Sequence, residues 1–149
     1  MADALFKHYT EVLIRYGDID MLQHVNNAKY LTYMEQARIQ YALDVMGWDG
    51  RWDRLDMIVA SVKVDFRMPL YLGDTLRIYT RASHLGNKSF TMEYLFKRIK
   101  KRSEEVVAEG NSVMVAWDSK KNHSKPLPEA MRERIQAYEP GLQGEASHI

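Results

Sequence analysis

The chain has 149 residues, of which 46% are hydrophobic and 28% are charged, with no cysteine and a formal net charge of +1 at pH 7. This length fits one domain, and the composition is that of a globular protein. The absence of cysteine excludes disulfides, thiolate metal sites and cysteine nucleophiles, and the near-zero charge gives no general attraction to nucleic acid or acidic membranes. Because there is neither an apolar run of ~18 residues nor a signal-peptide pattern, we expect a cytoplasmic protein without a membrane partner.

The first third of the chain predicts a strand, a loop and a long helix. Apolar and polar residues alternate over residues 8–16, which is typical of a half-buried strand. The polar segment 18–27 then predicts a loop, with Asn26 or Asn27 as the N-cap of the helix. We expect this helix to run to about Met46, where Gly47 stops it. Its apolar face is predicted to contain Tyr30, Met34, Ala37, Tyr41 and Val45, widened by Leu31, Ala42 and Met46.

The rest of the chain predicts mostly strands. After an irregular segment over residues 48–56, the alternation predicts four strands, over residues 58–66, 76–84, 89–99 and 106–117. Apolar residues at helical spacing then predict a short terminal helix over residues 129–138. We therefore predict one α+β domain over residues 1–138, with the long helix against one face of the sheet, and a disordered tail over residues 139–149. Long strands leave sheet edges that need covering, so we expect at least a dimer.

Candidate chemistry is concentrated where the first strand gives way to the helix. Asp18, Asp20, His24, Asn26 and Asn27 all lie in this loop. The first N–H groups of a helix are unpaired and lie at the positive end of its dipole, so they can polarise a carbonyl oxygen placed against them. Two aspartates separated by one residue in an extended segment would point to the same side, where one of them could face the reacting carbon.

Each of these residues also has a purely structural interpretation. An aspartate in a loop commonly forms a turn or caps a helix, and a lone histidine is commonly a hydrogen-bonded structural residue. No set of histidines and carboxylates at ligand spacing predicts a metal site. Glu35 and Arg38 are spaced for a solvated ion pair, and the basic run 97–102 could meet phosphates or simply be a solvated hairpin end.

The segment from Tyr16 to Leu31 resembles the signature of the hotdog-fold 4-hydroxybenzoyl-CoA thioesterase and acyl-CoA (acyl-ACP) thioesterase superfamily. The shared pattern is an aromatic residue, Asp-x-Asp, His-Val-Asn-Asn and Tyr-Leu, followed by Glu35 and Arg38. The resemblance implies a curved antiparallel sheet of about five strands wrapped around one long central helix. It also implies active sites between two subunits, in a homodimer or homotetramer.

The resemblance further implies hydrolysis of acyl-CoA thioesters to free acid and coenzyme A. By its motif, Asp20 attacks the thioester or activates water, and the backbone N–H of Asn27 polarises the carbonyl. We assign His24 to orienting the loop or its water, and Asn26 and Tyr30 to binding substrate. No cofactor is expected beyond the coenzyme A of the substrate itself.

Some features depart from the family pattern and leave alternatives open. Leu22 stands where the plant acyl-ACP enzymes have an amide, and the 4-hydroxybenzoyl enzymes lack the His-Val-Asn-Asn motif. A non-catalytic acyl-CoA-binding or assembly protein and a hotdog enoyl-CoA hydratase are the alternatives. The sequence does not determine the length or type of the acyl chain, or whether the thiol carrier is coenzyme A or acyl carrier protein. It also leaves open whether the protein is a dimer or a tetramer, and whether Asp20 acts as a nucleophile or as a general base.

Overall fold

One long helix, α1 (Asn27–Asp44), determines the arrangement of the other elements in the computed structural model, which describes residues 3–51 and 56–142. The helix begins where it does because the side chain of Asn26 accepts a hydrogen bond from the Ala28 N–H at 2.8 Å. It ends two residues before the predicted Met46, and Gly47 follows with φ +78°. A side chain at residue 47 would be strained at this φ and would meet Arg134 at 2.6 Å, so the predicted glycine stop is confirmed.

A curved antiparallel sheet packs against α1. Five strands follow the spatial order β1-β3-β4-β5-β2, and a two-residue strand, β6, pairs with β5. The elements are β1 (His8–Val12), β2 (Met57–Phe66), β3 (Thr75–Leu85), β4 (Ser89–Ile99), β5 (Glu104–Asp118), β6 (His123–Ser124) and the second helix α2 (Glu129–Tyr138). The predicted order of one strand, one long helix, four strands and a short helix is confirmed, with β6 as an unpredicted addition.

The first strand is shorter than predicted. It ends at Val12, and residues 16–18 form a 3-10 turn in which Tyr16 is exposed. The carboxylate of Asp18 accepts a hydrogen bond from the Arg15 N–H at 3.0 Å, which bends the backbone out of the extended conformation. The prediction of a strand through residue 16 is therefore wrong, because β1 pairs with β3 only as far as Val12 with Leu76 and β3 itself begins at Thr75.

The core lies between α1 and the concave face of the sheet. Met34, Ala37 and Tyr41 on α1 are fully buried, as their helical spacing predicts. Leu31 is exposed instead, so this part of the predicted apolar face does not reach the core. Gly110 on β5 is required by close packing, because a Cβ there would lie 2.6 Å from a backbone oxygen of β2.

The segment after α2 is ordered over its first residues. Glu139, where the predicted disordered tail begins, is buried, and Leu142 packs against the core. Glu139 accepts hydrogen bonds from the Tyr41 hydroxyl at 2.5 Å and the Ala82 N–H at 3.0 Å, which explains why the chain stays attached there. The prediction is thus wrong at this position. The remainder of the predicted tail, residues 143–149, lies outside the described residues, as do residues 52–55 of the predicted loop.

Candidate active site

Asp18 holds the loop that leads into α1. Its side chain is 6% exposed and accepts hydrogen bonds from the Arg15 N–H and from the Tyr33 hydroxyl at 2.7 Å. Its backbone carbonyl accepts from the Asn26 N–H at 2.9 Å, which positions the N-cap. Burial raises the pKa of Asp18, but the hydrogen bonds from Tyr33 and Arg15, together with the nearby Lys29 ammonium, outweigh it and leave the pKa below 3.8. Asp18 is therefore an ionised structural anchor.

Asp20 lies in a small hairpin next to this anchor. Its N–H donates to the His24 carbonyl at 3.2 Å, and its own carbonyl accepts from the Gln23 N–H at 2.9 Å. Gln23 adopts φ +68°, the left-handed conformation that closes such a turn. One carboxylate oxygen, Oδ1, accepts from the Leu22 N–H at 2.9 Å, which fixes the half-buried side chain in the turn.

The N-terminus of α1 opens onto a cavity of about 240 Å³. On the helix side it is lined by His24, Asn27 and Tyr30, with Val25, and on the sheet side by residues 66–69, from the last residue of β2 onward. Within residues 3–51 and 56–142, no hydrogen bond from the Asn27 N–H is formed, as expected for the first residue of a helix. The cavity therefore combines an unpaired helix N–H with an imidazole.

Tyr30 forms the floor of this cavity rather than an exposed contact. It is 2% exposed, and its ring lies edge-on to Phe66 at 4.9 Å and beside Phe96 at 5.4 Å between ring centroids. Burial raises its pKa to about 12, although the Arg98 charge and a hydrogen bond from the Leu70 N–H lower it. The hydroxyl therefore stays protonated at neutral pH.

The structure brings together three of the five predicted site residues. His24, Asn27 and Tyr30 line the cavity, and Asp20 lies beside it through its backbone bond to His24 without being part of the lining. The Asn26 side chain is occupied in capping α1. The far wall, residues 66–69, was not predicted from the sequence, which indicates only a strand that ends at residue 66.

Glu35 and Arg38 do not form the predicted ion pair. Arg38 instead donates to the Tyr94 hydroxyl at 3.4 Å, and that hydroxyl lies 2.7 Å from the Ser112 hydroxyl inside the core. Both charged residues border an apolar cavity of about 210 Å³ between α1 and the sheet. Its apolar lining includes Ala42, Met46, Met57, Phe90, Met92 and Met114.

Two further features are absent from the part of the chain that the structure describes. There, no helix combines the length and apolar character needed to cross a bilayer. The same residues contain no cluster of three or more histidine or acidic side chains arranged to hold a metal ion.

Known proteins resemble this chain over nearly its whole length. The family model of the thioesterase-like superfamily matches residues 14–135. A thioesterase from Thermus thermophilus, solved with coenzyme A and zinc, is 36% identical with a TM-score of 0.76, over 89% of this chain and 94% of that one. The long-chain acyl-CoA thioesterase FadM of Escherichia coli is 27% identical over 85% of this chain and 96% of its own length. The 1,4-dihydroxy-2-naphthoyl-CoA hydrolase of Synechococcus elongatus is 28% identical over 91% of this chain and 97% of its own length.

Proposed function

Because this chain belongs to the thioesterase-like superfamily, we propose that it hydrolyses acyl-coenzyme A thioesters to the free acid and coenzyme A. Family membership confirms the resemblance seen in the Asp-x-Asp and His-Val-Asn-Asn motifs. The likeness to a solved thioesterase structure confirms the predicted hotdog fold. Two curated relatives named for hydrolysis of a long-chain acyl-CoA and of an aromatic acyl-CoA support coenzyme A thioesters as the substrate class.

The observation that carries this proposal is the cavity at the N-terminus of α1. A thioester carbonyl placed against the Asn27 N–H would gain stabilisation as negative charge develops on its oxygen, an effect typically of ~10²–10³-fold in rate. The fold holds the Asn27 N–H in place before substrate arrives, because Asn26 caps the helix and its N–H is bonded to the Asp18 carbonyl. No reorganisation of this donor is needed during the reaction.

Asp20 supplies the negatively charged oxygen in this mechanism. Its carboxylate either attacks the thioester carbon and expels the thiolate, leaving an acyl–aspartyl anhydride that water then hydrolyses, or it removes a proton from a water that attacks the thioester carbon, after which the C–S bond breaks. The coenzyme A thiolate takes up a proton, and the acid leaves with one oxygen derived from water. General-base assistance of ~10²–10⁴-fold is typical for a positioned carboxylate or imidazole. The backbone bond between Asp20 and His24 supports the assignment of His24 to orienting the hairpin and its water.

A homodimer would complete the site. β2 is an edge strand of the sheet, and its exposed residues include Ile58, Val59, Val62 and Phe66. Exposed apolar residues on a long edge strand favour pairing with the same strand of a second copy. Phe66 also lines the catalytic cavity, so such pairing would bring the partner subunit next to the bound thioester.

The proposal is tested by the release of free thiol from a panel of acyl-coenzyme A thioesters. Asp20→Asn should lower kcat by at least ~10²-fold, because the amide cannot attack or accept a proton, yet it can still accept the Leu22 N–H bond. Glu133→Gln makes the same chemical change at an exposed position on α2 and should keep wild-type activity.

Full activity in Asp20→Asn would overturn the role given to Asp20. Binding of acyl-coenzyme A by the wild type without any thiol release would instead support a binding protein. Addition of water to an enoyl-coenzyme A with the thioester intact would support a hydratase.

A further inference from the structure

The turn between β4 and β5 carries cations that the fold does not neutralise. The Lys100 N–H donates to the Ser103 carbonyl at 2.8 Å, which closes the turn. Lys100 itself pairs with Glu105 at 2.6 Å. Within the described parts of the chain, Lys101 and Arg102 take part in no ion pair or hydrogen bond, and both are exposed.

The neighbouring basic residues of the same run are used by the fold. Lys97 pairs with Asp3 at 2.9 Å and Glu104 at 3.4 Å. Arg98 pairs with Asp74 at 3.1 Å and with Glu105. The structure thus separates the basic run into structural cations along β4 and two free cations at the tip of the turn.

The turn is joined directly to the wall of the catalytic cavity. Arg98, next to the turn, donates to the Pro69 carbonyl at 2.9 Å, and Pro69 lines the cavity. Met68, another wall residue, donates its N–H to the Val107 carbonyl on β5 at 3.1 Å. Arg102 precedes Val107 by five positions, and β5 begins between them at Glu104, so the two residues lie at most ~16 Å apart at ~3.3 Å per extended residue.

The distance between the cavity wall and the tip of the turn matches the length of coenzyme A. Its pantetheine arm places about a dozen bonds between the thioester sulfur and the pyrophosphate, the reach of about four extended residues or roughly 14 Å. A thioester bound at the Asn27 N–H would therefore place its phosphates near the tip of the turn. Lysine and arginine are the side chains that bind phosphate with charge-assisted hydrogen bonds.

We propose that Lys101 and Arg102 bind the phosphates of coenzyme A, so that this enzyme acts on thioesters of the nucleotide-bearing carrier. The inference rests on the proposed thioesterase function and adds to it the residues that bind the nucleotide part of the carrier. An acyl carrier protein would present a protein surface of about 800 Å² to this region. Such a surface would also meet the carboxylates of Glu104 and Glu105 at the adjoining start of β5, whereas a phosphate can reach the two exposed side chains at the tip alone.

The experiment compares two substrates with the same acyl group, one on coenzyme A and one on pantetheine without the nucleotide. In the double variant Lys101→Ala/Arg102→Ala, KM for the acyl-coenzyme A should rise roughly fivefold, because two exposed charge pairs are lost. The kcat for each of the two substrates should stay unchanged, and so should the KM for the acyl-pantetheine. The matched control is Lys120→Ala/Lys121→Ala, which removes two adjacent exposed lysines from the turn between β5 and β6 and should alter neither substrate.

Binding of coenzyme A alone, measured by calorimetry, separates this inference from the proposed function. The Lys101→Ala/Arg102→Ala variant should bind coenzyme A roughly fivefold more weakly, consistent with the loss of two exposed charge pairs, whether or not the wild type turns over any thioester. Unchanged KM and unchanged coenzyme A binding in this variant would overturn the inference, as would equal changes for both substrates. Loss of activity only toward thioesters on an acyl carrier protein would overturn it in favour of protein docking.

Discussion

At the scale of single residues, Asp18 and Asp20 show how two identical side chains in one motif are placed in different environments. Asp18 is buried, ionised and held by three donors or cations, whereas Asp20 is half-buried in a hairpin at the edge of a cavity. The premise that both lie in an extended segment is wrong, because residues 16–18 form a 3-10 turn. The motif therefore predicts which residue types matter, and the turn decides which carboxylate is free for chemistry.

Asp18→Asn is expected to destabilise the fold by about 1–3 kcal/mol, since an amide cannot take the place of a charged acceptor for both the Tyr33 hydroxyl and the Arg15 N–H. Because the folded-state pKa of Asp18 is lowered, its stabilisation is complete above pH 3.8 and is lost as the pH falls through the folded value. Urea unfolding of wild type and variant between pH 2 and 7 measures both effects, and the difference between the two proteins should shrink at the acidic end.

Asp20→Asn is the matched control for this prediction, because the amide oxygen can keep the Leu22 N–H bond. Its free energy of unfolding should stay within about 0.5 kcal/mol of wild type, as for most exposed substitutions. A loss as large as that of Asp18→Asn would mean that the two aspartates are not divided into anchor and chemical group.

At the scale of elements, α1 could be predicted closely because its signals are local. Asn26 caps it, Gly47 follows its end, and Tyr41 and Met34 occupy the buried face at helical spacing. The segment after α2 could not be predicted, because its order depends on the carboxylate of Glu139 meeting the Tyr41 hydroxyl, 98 positions away in the sequence. A polar composition predicts a solvated tail, and only the tertiary contact reveals the anchor.

The anchor at Glu139 should make stability depend on pH. Burial raises the pKa of Glu139, and the hydrogen bonds from Tyr41 and Ala82 with the charges of Arg81 and Lys7 only partly oppose this. A raised pKa means that the contribution of the group is complete below its unfolded value of 4.5 and is lost as the pH rises through the folded value. Glu139→Gln cannot ionise, so its stability relative to wild type should increase from pH 4 to pH 8.

The measurement is the urea midpoint of both proteins at each pH. Glu133→Gln changes an exposed carboxylate on the preceding helix, α2, and should show no such trend. A difference between Glu139→Gln and wild type that stays constant across the pH range would contradict the raised pKa as the cause.

At the scale of the whole molecule, the sequence predicts the order of the elements along the chain but not which strand meets solvent. The alternation over β2 is the clearest in the chain and predicts a half-buried strand, yet most of its side chains are exposed in a single copy. Val59 and Val62 border a groove of about 290 Å³ together with Leu31, Glu35 and Arg38 of α1. Alternation records that one face of a strand is covered, and it does not say whether the cover comes from the same chain or from another.

Replacing Val59 and Val62 together by lysine is therefore expected to disrupt a dimer that pairs through β2. Two charges would be placed where the partner strand and helix cover the groove, and an unpaired buried charge is strongly unfavourable. Light scattering after size-exclusion chromatography should show the mass of one chain, and thiol release should fall with it, because the cavity wall at Phe66 lies on the same strand.

Lys120→Glu, an exposed charge change in the turn before β6, is the control that should leave mass and activity intact. A double variant that becomes monomeric but stays fully active would show that each chain carries a complete site, and one that keeps the wild-type mass would place the interface on another face.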